Sequence, residues 1–251
     1  MKQFRDSGGN VSDGDRILIL GEDEDGKTDD LTAILVKVDE VFSKVNGQYD
    51  SSMSARLLAP RPKSDNEDEE EIRSKNRSST ILNISLAGDS KADACRFLTG
   101  GDAEVALWEQ LWERHSTHPD WLTYDILQTP HHCSWHSLSY DSWSEKGEDA
   151  EVCAEARSAL SQTRKGAVIV ASSRAIKDDD NDPPCIRAKR EYQDIAGNAS
   201  GSFKCVGEPE SNPDILEFEI GRNGPRLMTK RMTSAAIVSS GPIGRQPFAH
   251  G

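Results

Sequence analysis

The sequence has no C-x-x-C pair, no G-x-S-x-G elbow, no glycine-rich phosphate loop and no apolar run approaching the length of a bilayer span. The five cysteines (Cys95, Cys133, Cys153, Cys185, Cys205) are odd in number and widely spaced. That argues against a disulfide framework or a structural zinc knuckle and fits a reducing compartment. Without the elbow or the phosphate loop, the usual α/β serine hydrolases and P-loop enzymes lose their reacting groups. Residues 1–20 do not resemble a signal peptide, so the expectation is a cytoplasmic protein with no membrane partner. Positive charge is also scarce: 30 Lys and Arg face 43 Asp and Glu, for a net charge of −13. No basic stripe is available, so no strong nucleic-acid surface is expected. A metal-dependent nuclease is not excluded, because bound cations supply local positive charge.

A length of 251 residues suits one large domain or two small ones. "DRILIL" (15–20) and "LTAILVKV" (31–38) read as strands joined by an acidic turn, and "SARLLAP" (54–60) is a third apolar run. The stretch from residue 60 to 78 is too charged to pack and reads as an acidic solvated loop. Beyond it, "STILNISL" (79–86) alternates, with Leu82, Ile84 and Leu86 on one face, and "ACRFLTG" (94–100) is a short strand. Residues 103–115 carry Val105, Trp108 and Trp112 at helical spacing. A strand at 124–129, a helix at 148–163, a strand at 166–173 and a helix at 183–196 that begins with proline follow. Three further strands close the pattern, the last two joined by "RNG", a hairpin signal, and the tail at 232–251 reads as flexible. Strands alternating with helices predict a layered α/β fold.

"TPHHCSWHS" (129–137) concentrates three of the six histidines. It follows one predicted strand, and "FLTGGDAE" follows another, at the kind of strand end where α/β sheets bind ligands. Carboxylate and imidazole are the donors a hydrolytic zinc or manganese site uses. Each residue also has a plainer reading. Asp102 stands where a helix N-cap would. His131 and His132, adjacent in an extended segment, point different ways, so at most one is an easy ligand without special loop geometry. His132 and His136 have the spacing of a helical zinc pair, but Pro130 and the Cys-Ser-Trp between them argue against a helix. His115 and His118 read as surface residues at a helix end. Cys133 beside histidines suggests a thiol nucleophile, yet the catalytic partner of a cysteine is normally distant in sequence.

In this order, "LLAPRP", "NRSSTILNISL", "RFLTGGDAE", "ILQTPHHCSWHS" and "AVIVASS" resemble the later half of a metallo-β-lactamase-fold metallohydrolase, closest to the hydrolase domain of competence DNA-uptake proteins. The resemblance covers residues 54–231, with 1–53 as a strand-containing part leading into the fold. It implies the later half of an αββα sandwich, with one sheet face incompletely covered. It also implies metal-dependent hydrolysis of a phosphodiester or related ester. By the same resemblance Asp102 bridges two cations about 3.5–4 Å apart that activate water. His131 and His132 are the histidine pair, His132 favoured as ligand and His131 as its catalytic neighbour. Asn76, Ser79 and Ser172 or Ser173 border the pocket. The metal expected is zinc (or manganese).

Three features depart from the pattern. Cys133 replaces the glycine of H-H-G-S, "DNDPPCI" lacks the histidine of a later H-P, and the H-x-H-x-D-H motif of the first half occurs nowhere in the sequence. The expected metal site is therefore incompletely liganded. The chain is expected to be a truncated hydrolase, to pair with a separately encoded first half, or to be a non-catalytic binding remnant, and the isolated chain is expected to be weak or inactive.

Overall fold

The computed structural model describes residues 5–9, 18–22, 26–60, 79–208 and 215–228. Asn76, most of the acidic stretch at 60–78 and the tail at 232–251 lie outside the described residues. Thirteen strands are described: β1 (Ile19–Leu20), β2 (Leu35–Val36), β3 (Val41–Phe42), β4 (Lys44–Val45), β5 (Gln48–Tyr49), β6 (Met53–Ala59), β7 (Ile81–Gly88), β8 (Lys91–Thr99), β9 (Tyr124–Gln128), β10 (Thr163–Arg174), β11 (Ser202–Gly207), β12 (Phe218–Gly221) and β13 (Gly224–Leu227). The helices whose bounds fall among the described residues are α1 (Val105–His115), α2 (Trp143–Lys146), α3 (Ala154–Leu160) and α4 (Ile186–Asn198).

The fold is mixed α/β, built on a seven-stranded sheet in the order β11-β10-β9-β8-β7-β6-β3. From β3 to β8 the neighbours are antiparallel; from β8 to β11 they are parallel. Each parallel step needs a crossover, and α1, α3 and α4 lie in the three of them. Successive strands are added in one direction. With right-handed crossovers, all three helices must then fall on the same face. The burial pattern agrees. Leu98, Leu127, Ile169 and Ala171 join Trp108, Leu111, Ala156, Leu160, Tyr192 and Ile195 in one core. Two of the buried aromatic polar groups are satisfied there: Tyr124 OH donates to the Leu160 carbonyl (2.6 Å) and Trp108 Nε1 to the Ala103 carbonyl (3.2 Å).

Among the described residues, the other sheet face is only partly covered. The hairpin β12-β13 packs over β7, β8 and β9. At Gly88 a side chain would stand 2.8 Å from the Gly221 carbonyl, so the hairpin sits directly on the strand backbone. Beside it runs an apolar groove of about 560 Å³ lined by Leu86, Phe97, Ile126, Val170, Val206 and Phe218, among others. Among the described residues no helix is long and apolar enough to cross a membrane.

Several boundaries differ from the sequence reading. The alternating Leu82, Ile84 and Leu86 face the groove side and are half-buried, whereas Ile81 and Asn83 turn into the helix layer. The first two predicted strands shorten to a two-residue parallel pair, β1 with β2, with a 3-10 turn at Asp29–Leu31 between them. The helix expected at 148–163 shrinks to Ala154–Leu160, and residues from Thr163 already belong to β10. Pro183 and Pro184 precede α4 instead of starting it.

His115 is not a surface residue. Its side chain is 2% exposed and lies against Trp121, and Nε2 accepts a hydrogen bond from Arg114 Nε (2.9 Å). Burial first, then the Arg114 charge, pushes its pKa down against the opposing pull of Asp39.

Two expected outcomes follow. Leu98→Ala, in the helix-side core, should cost about 2–5 kcal/mol in denaturant unfolding. Leu86→Ser, on the groove side, should cost roughly 1 kcal/mol. The unfolded chain takes up a proton at His115 near pH 6.5, which the folded chain resists. The stabilising effect is thus present above that pH and lost as the pH falls. Between pH 7 and 5 the unfolding midpoint should drop, and His115→Gln should flatten that part of the profile.

Candidate functional site

The carboxyl ends of β8, β9 and β10 lie side by side; β8 and β9 each continue into a loop that carries a candidate residue, and β10 carries Ser172 and Ser173 among its last three residues. After β8 comes Gly100-Gly101-Asp102. A side chain at Gly100 would meet the backbone of Pro130 at 2.8 Å, so glycine is what lets this loop approach the one after β9. Gly101 adopts φ +51, and its carbonyl accepts a hydrogen bond from His131 N (2.8 Å). The position its side chain would take lies 3.5 Å from Ser79 Cβ, which places Ser79 at the same rim. Asp102 is exposed beside this junction. The N-cap of α1 is Glu104, so the capping role does not belong to Asp102.

After β9, three successive residues with side chains take left-handed conformations: His131 (φ +45), His132 (φ +54) and Cys133 (φ +70). Such residues cost on the order of 1–2 kcal/mol each, and the surroundings hold them. Cys133 N donates to the Pro130 carbonyl (3.0 Å), Ser134 N to the His131 carbonyl (3.0 Å), and Cys185 N to the Cys133 carbonyl (3.0 Å). Two short 3-10 turns, Pro130–His132 and Trp135–Ser137, occupy the stretch, so His132 and His136 do not share an α-helical face. Cys133 is fully buried, and burial pushes its thiol well above the usual range. It packs; it is not an activated nucleophile.

Near the carboxyl end of β10, the Ser172 carbonyl lies 2.7 Å from His132 Nδ1. A carbonyl can only accept, so Nδ1 carries the proton and the Nε2 lone pair of this exposed imidazole is free to bind an acceptor-seeking group. The neighbouring His131 Nδ1 and Thr129 Oγ1 are buried with no hydrogen-bond partner. Ser173 turns elsewhere: its hydroxyl donates to the Arg174 carbonyl (2.9 Å) and lies 3.4 Å from Cys205 Sγ. His136 faces Asp182 at 3.9 Å. The fold thus gathers Ser79, the Asp102 loop, His131, His132 and the backbone of Ser172 at one rim, and directs Ser173 and His136 to other partners.

Among the described residues, the group of three metal-type donors whose ligand atoms all lie within 4.8 Å of one another is Glu109, Cys153 and Glu155; Asp102, His131 and His132 are not so close. That group joins α1 to the start of α3. Glu109 accepts hydrogen bonds from Tyr140 OH and from Cys153 Sγ (3.8 Å), and burial raises the thiol's pKa. No local motif announces it, because 44 residues separate Glu109 from Cys153. At the opposite end of the sheet, Asp93, Asp125, Arg96 and Arg164 form a ladder of ion pairs. Burial would raise the Asp93 carboxyl, but hydrogen bonds from Arg96, Arg164 and Ser85 outweigh it and hold the pKa at about 2.

No protein-family model, curated protein or solved structure matches the chain.

Gly100→Ala should force the β8 and β9 loops apart. The expected cost is about 1–3 kcal/mol of stability, as for other overpacked sites. Histidine side-chain NMR signals of His131 and His132 should shift, and those of His118, at the far end of α1, should not.

Proposed function

We propose that the chain is the later half of a metal-dependent hydrolase with a metallo-β-lactamase-like αββα sandwich, acting on a phosphodiester or related ester. The observation that carries this reading is His132. Its Nδ1–H is fixed on the Ser172 carbonyl, which leaves Nε2 of this exposed side chain without that contact, and the backbone N–H of its neighbour His131 is tied to Gly101 in the Asp102 loop. A histidine metal ligand is held in the same way, with its second nitrogen on a carbonyl.

The donors fit a zinc or manganese ion in part. Asp102 offers an exposed carboxylate, His132 a lone pair of settled tautomer, and His131 a buried nitrogen without a partner. Asp102 and His132 would hold the cation, with His131 as neighbour. When bound, such an ion supplies Lewis acidity and lowers the pKa of water. The chain's own contribution is positional. The Ser172 carbonyl orients His132, the Gly101 carbonyl anchors His131, and the Asp102 carboxylate supplies negative charge at the rim. The H-x-H-x-D-H ligands have to come from a first half, whether upstream of this sequence or on a second polypeptide. The half-covered apolar sheet face supports a sandwich in which such a layer packs there.

One observation favours a second reading, a non-catalytic binding protein: Asp102, His131 and His132 do not close into a three-donor set. Metal content after dialysis, measured alongside hydrolysis of a chromogenic phosphodiester, separates the two. The 251-residue chain alone should retain at most one ion, loosely, and show little turnover. With a first half bearing H-x-H-x-D-H supplied, metal retention and hydrolysis should appear together, and Asp102→Ala should reduce hydrolysis by at least about a hundredfold. Metal retention without hydrolysis in the reunited protein would favour the binding reading. Tightly held metal and brisk turnover by the chain alone would show that other residues form the site.

A further inference from the structure

The strained loop at 131–133 is supported from a distant part of the chain by a residue that is not among the proposed ligands. Asp182 lies in the connection between β10 and α4, and its side chain is 11% exposed. Its Oδ1 accepts a hydrogen bond from the backbone N–H of Trp135 (3.0 Å), two residues beyond Cys133 and 47 residues away in sequence. A hydrogen bond to a charged acceptor is among the stronger ones a loop can make. Its Oδ2 is buried and accepts no hydrogen bond, standing 3.9 Å from His136 Nε2. Around the same fully buried Trp135, the indole Nε1 and Arg187 Nε are also buried without partners, and the Arg187 guanidinium lies 5.6 Å from the indole ring.

We infer that Asp182 is a positioning residue: through Trp135 it holds the 131–137 loop in its left-handed course, and so keeps His132 Nδ1 on the Ser172 carbonyl and Nε2 free of that contact. The strain supports this assignment. Three left-handed residues in a row do not persist on local hydrogen bonds alone, and the surrounding structure must over-determine them. Two contacts reach the loop from the β10–α4 connection: Cys185 N on the Cys133 carbonyl, and Asp182 on Trp135 N. The first is a backbone bond that no side-chain change removes. The second is carried by a single carboxylate, so it is the one a substitution can break.

The importance of His132 as a zinc donor rests on the proposed function, whereas its tautomer does not. The test therefore reads both, on the full chain at pH near 8. Long-range nitrogen–proton correlation spectra give the imidazole tautomers, and a zinc titration followed on the same signals gives the affinity. The wild-type chain should show His132 as the Nδ1–H tautomer. Asp182→Ala should mix the two tautomers and weaken zinc binding about tenfold, the lower end of what losing a group behind a metal ligand costs. Asp182→Asn keeps an oxygen for Trp135 N–H and should restore both readings to near wild type. An unchanged tautomer in Asp182→Ala overturns the inference, as does an Asn variant as disturbed as the Ala variant. Loss of cooperative unfolding in Asp182→Ala also overturns it, since the residue would then hold the fold and not the loop. If zinc moves no histidine signal even in the wild type, the metal reading fails, while the tautomer comparison still decides the role of Asp182.

Discussion

The architecture depends on one topological constraint: β8, β9, β10 and β11 are parallel and are laid down in one direction across the sheet. Parallel neighbours need crossovers, and right-handed crossovers in one direction place every helix on one face. Two consequences follow directly. The carboxyl ends of β8, β9 and β10 share one rim, so the loops carrying Asp102, His131 and His132 become neighbours of Ser172 near the end of β10, although up to 70 positions separate these residues in the sequence. The face opposite the helices receives no crossover at all. Among the described residues the β12-β13 hairpin covers part of it, and Phe97, Ile126 and Val170 line an apolar groove beside it.

The rim itself is a balance of strain against polar contacts. Three left-handed residues cost on the order of 1–2 kcal/mol each. Opposing them are backbone hydrogen bonds of roughly 1 kcal/mol each, the burial of Cys133 and Trp135, and the carboxylate of Asp182. Cys133 illustrates the compromise. Glycine would take φ +70 at less backbone cost, but it would leave no side chain in a fully buried position. The opposite end of the sheet is built differently, with Asp93, Arg96, Arg164 and Asp125 pairing across strands. Charge is thus concentrated in ion pairs at one end, while the other end leaves an imidazole and a carboxylate exposed.

The helices and central strands were legible wherever a period was long enough to read. The spacing of Val105, Trp108 and Trp112 located α1, and the apolar run at 166–173 located β10. Short elements were less legible, because hydrogen-bonded partners define them and those partners lie elsewhere in the chain. The helix at 154–160 lost its flanks to a 3-10 turn on one side and to β10 on the other. His115 looked like an exposed helix end. Its burial comes from Trp121, which follows α1 in a turn that no helical period could anticipate.

The sequence by itself determined the class of fold, the strand ends that bear the candidate residues, and the scarcity of positive charge. These depend on local periodicity, on glycine and proline at turns, and on composition. Tertiary structure alone decided which way each alternating strand faces, so that Leu82, Ile84 and Leu86 look toward the groove side and Ile81 and Asn83 toward the helices. It also decided that Glu104 caps α1 in place of Asp102, that His132 Nδ1 meets the Ser172 carbonyl, and that Asp182 reaches Trp135. Each of these is a contact between segments far apart in the chain. Its existence depends on strand order and crossover handedness, which no local pattern of residues encodes.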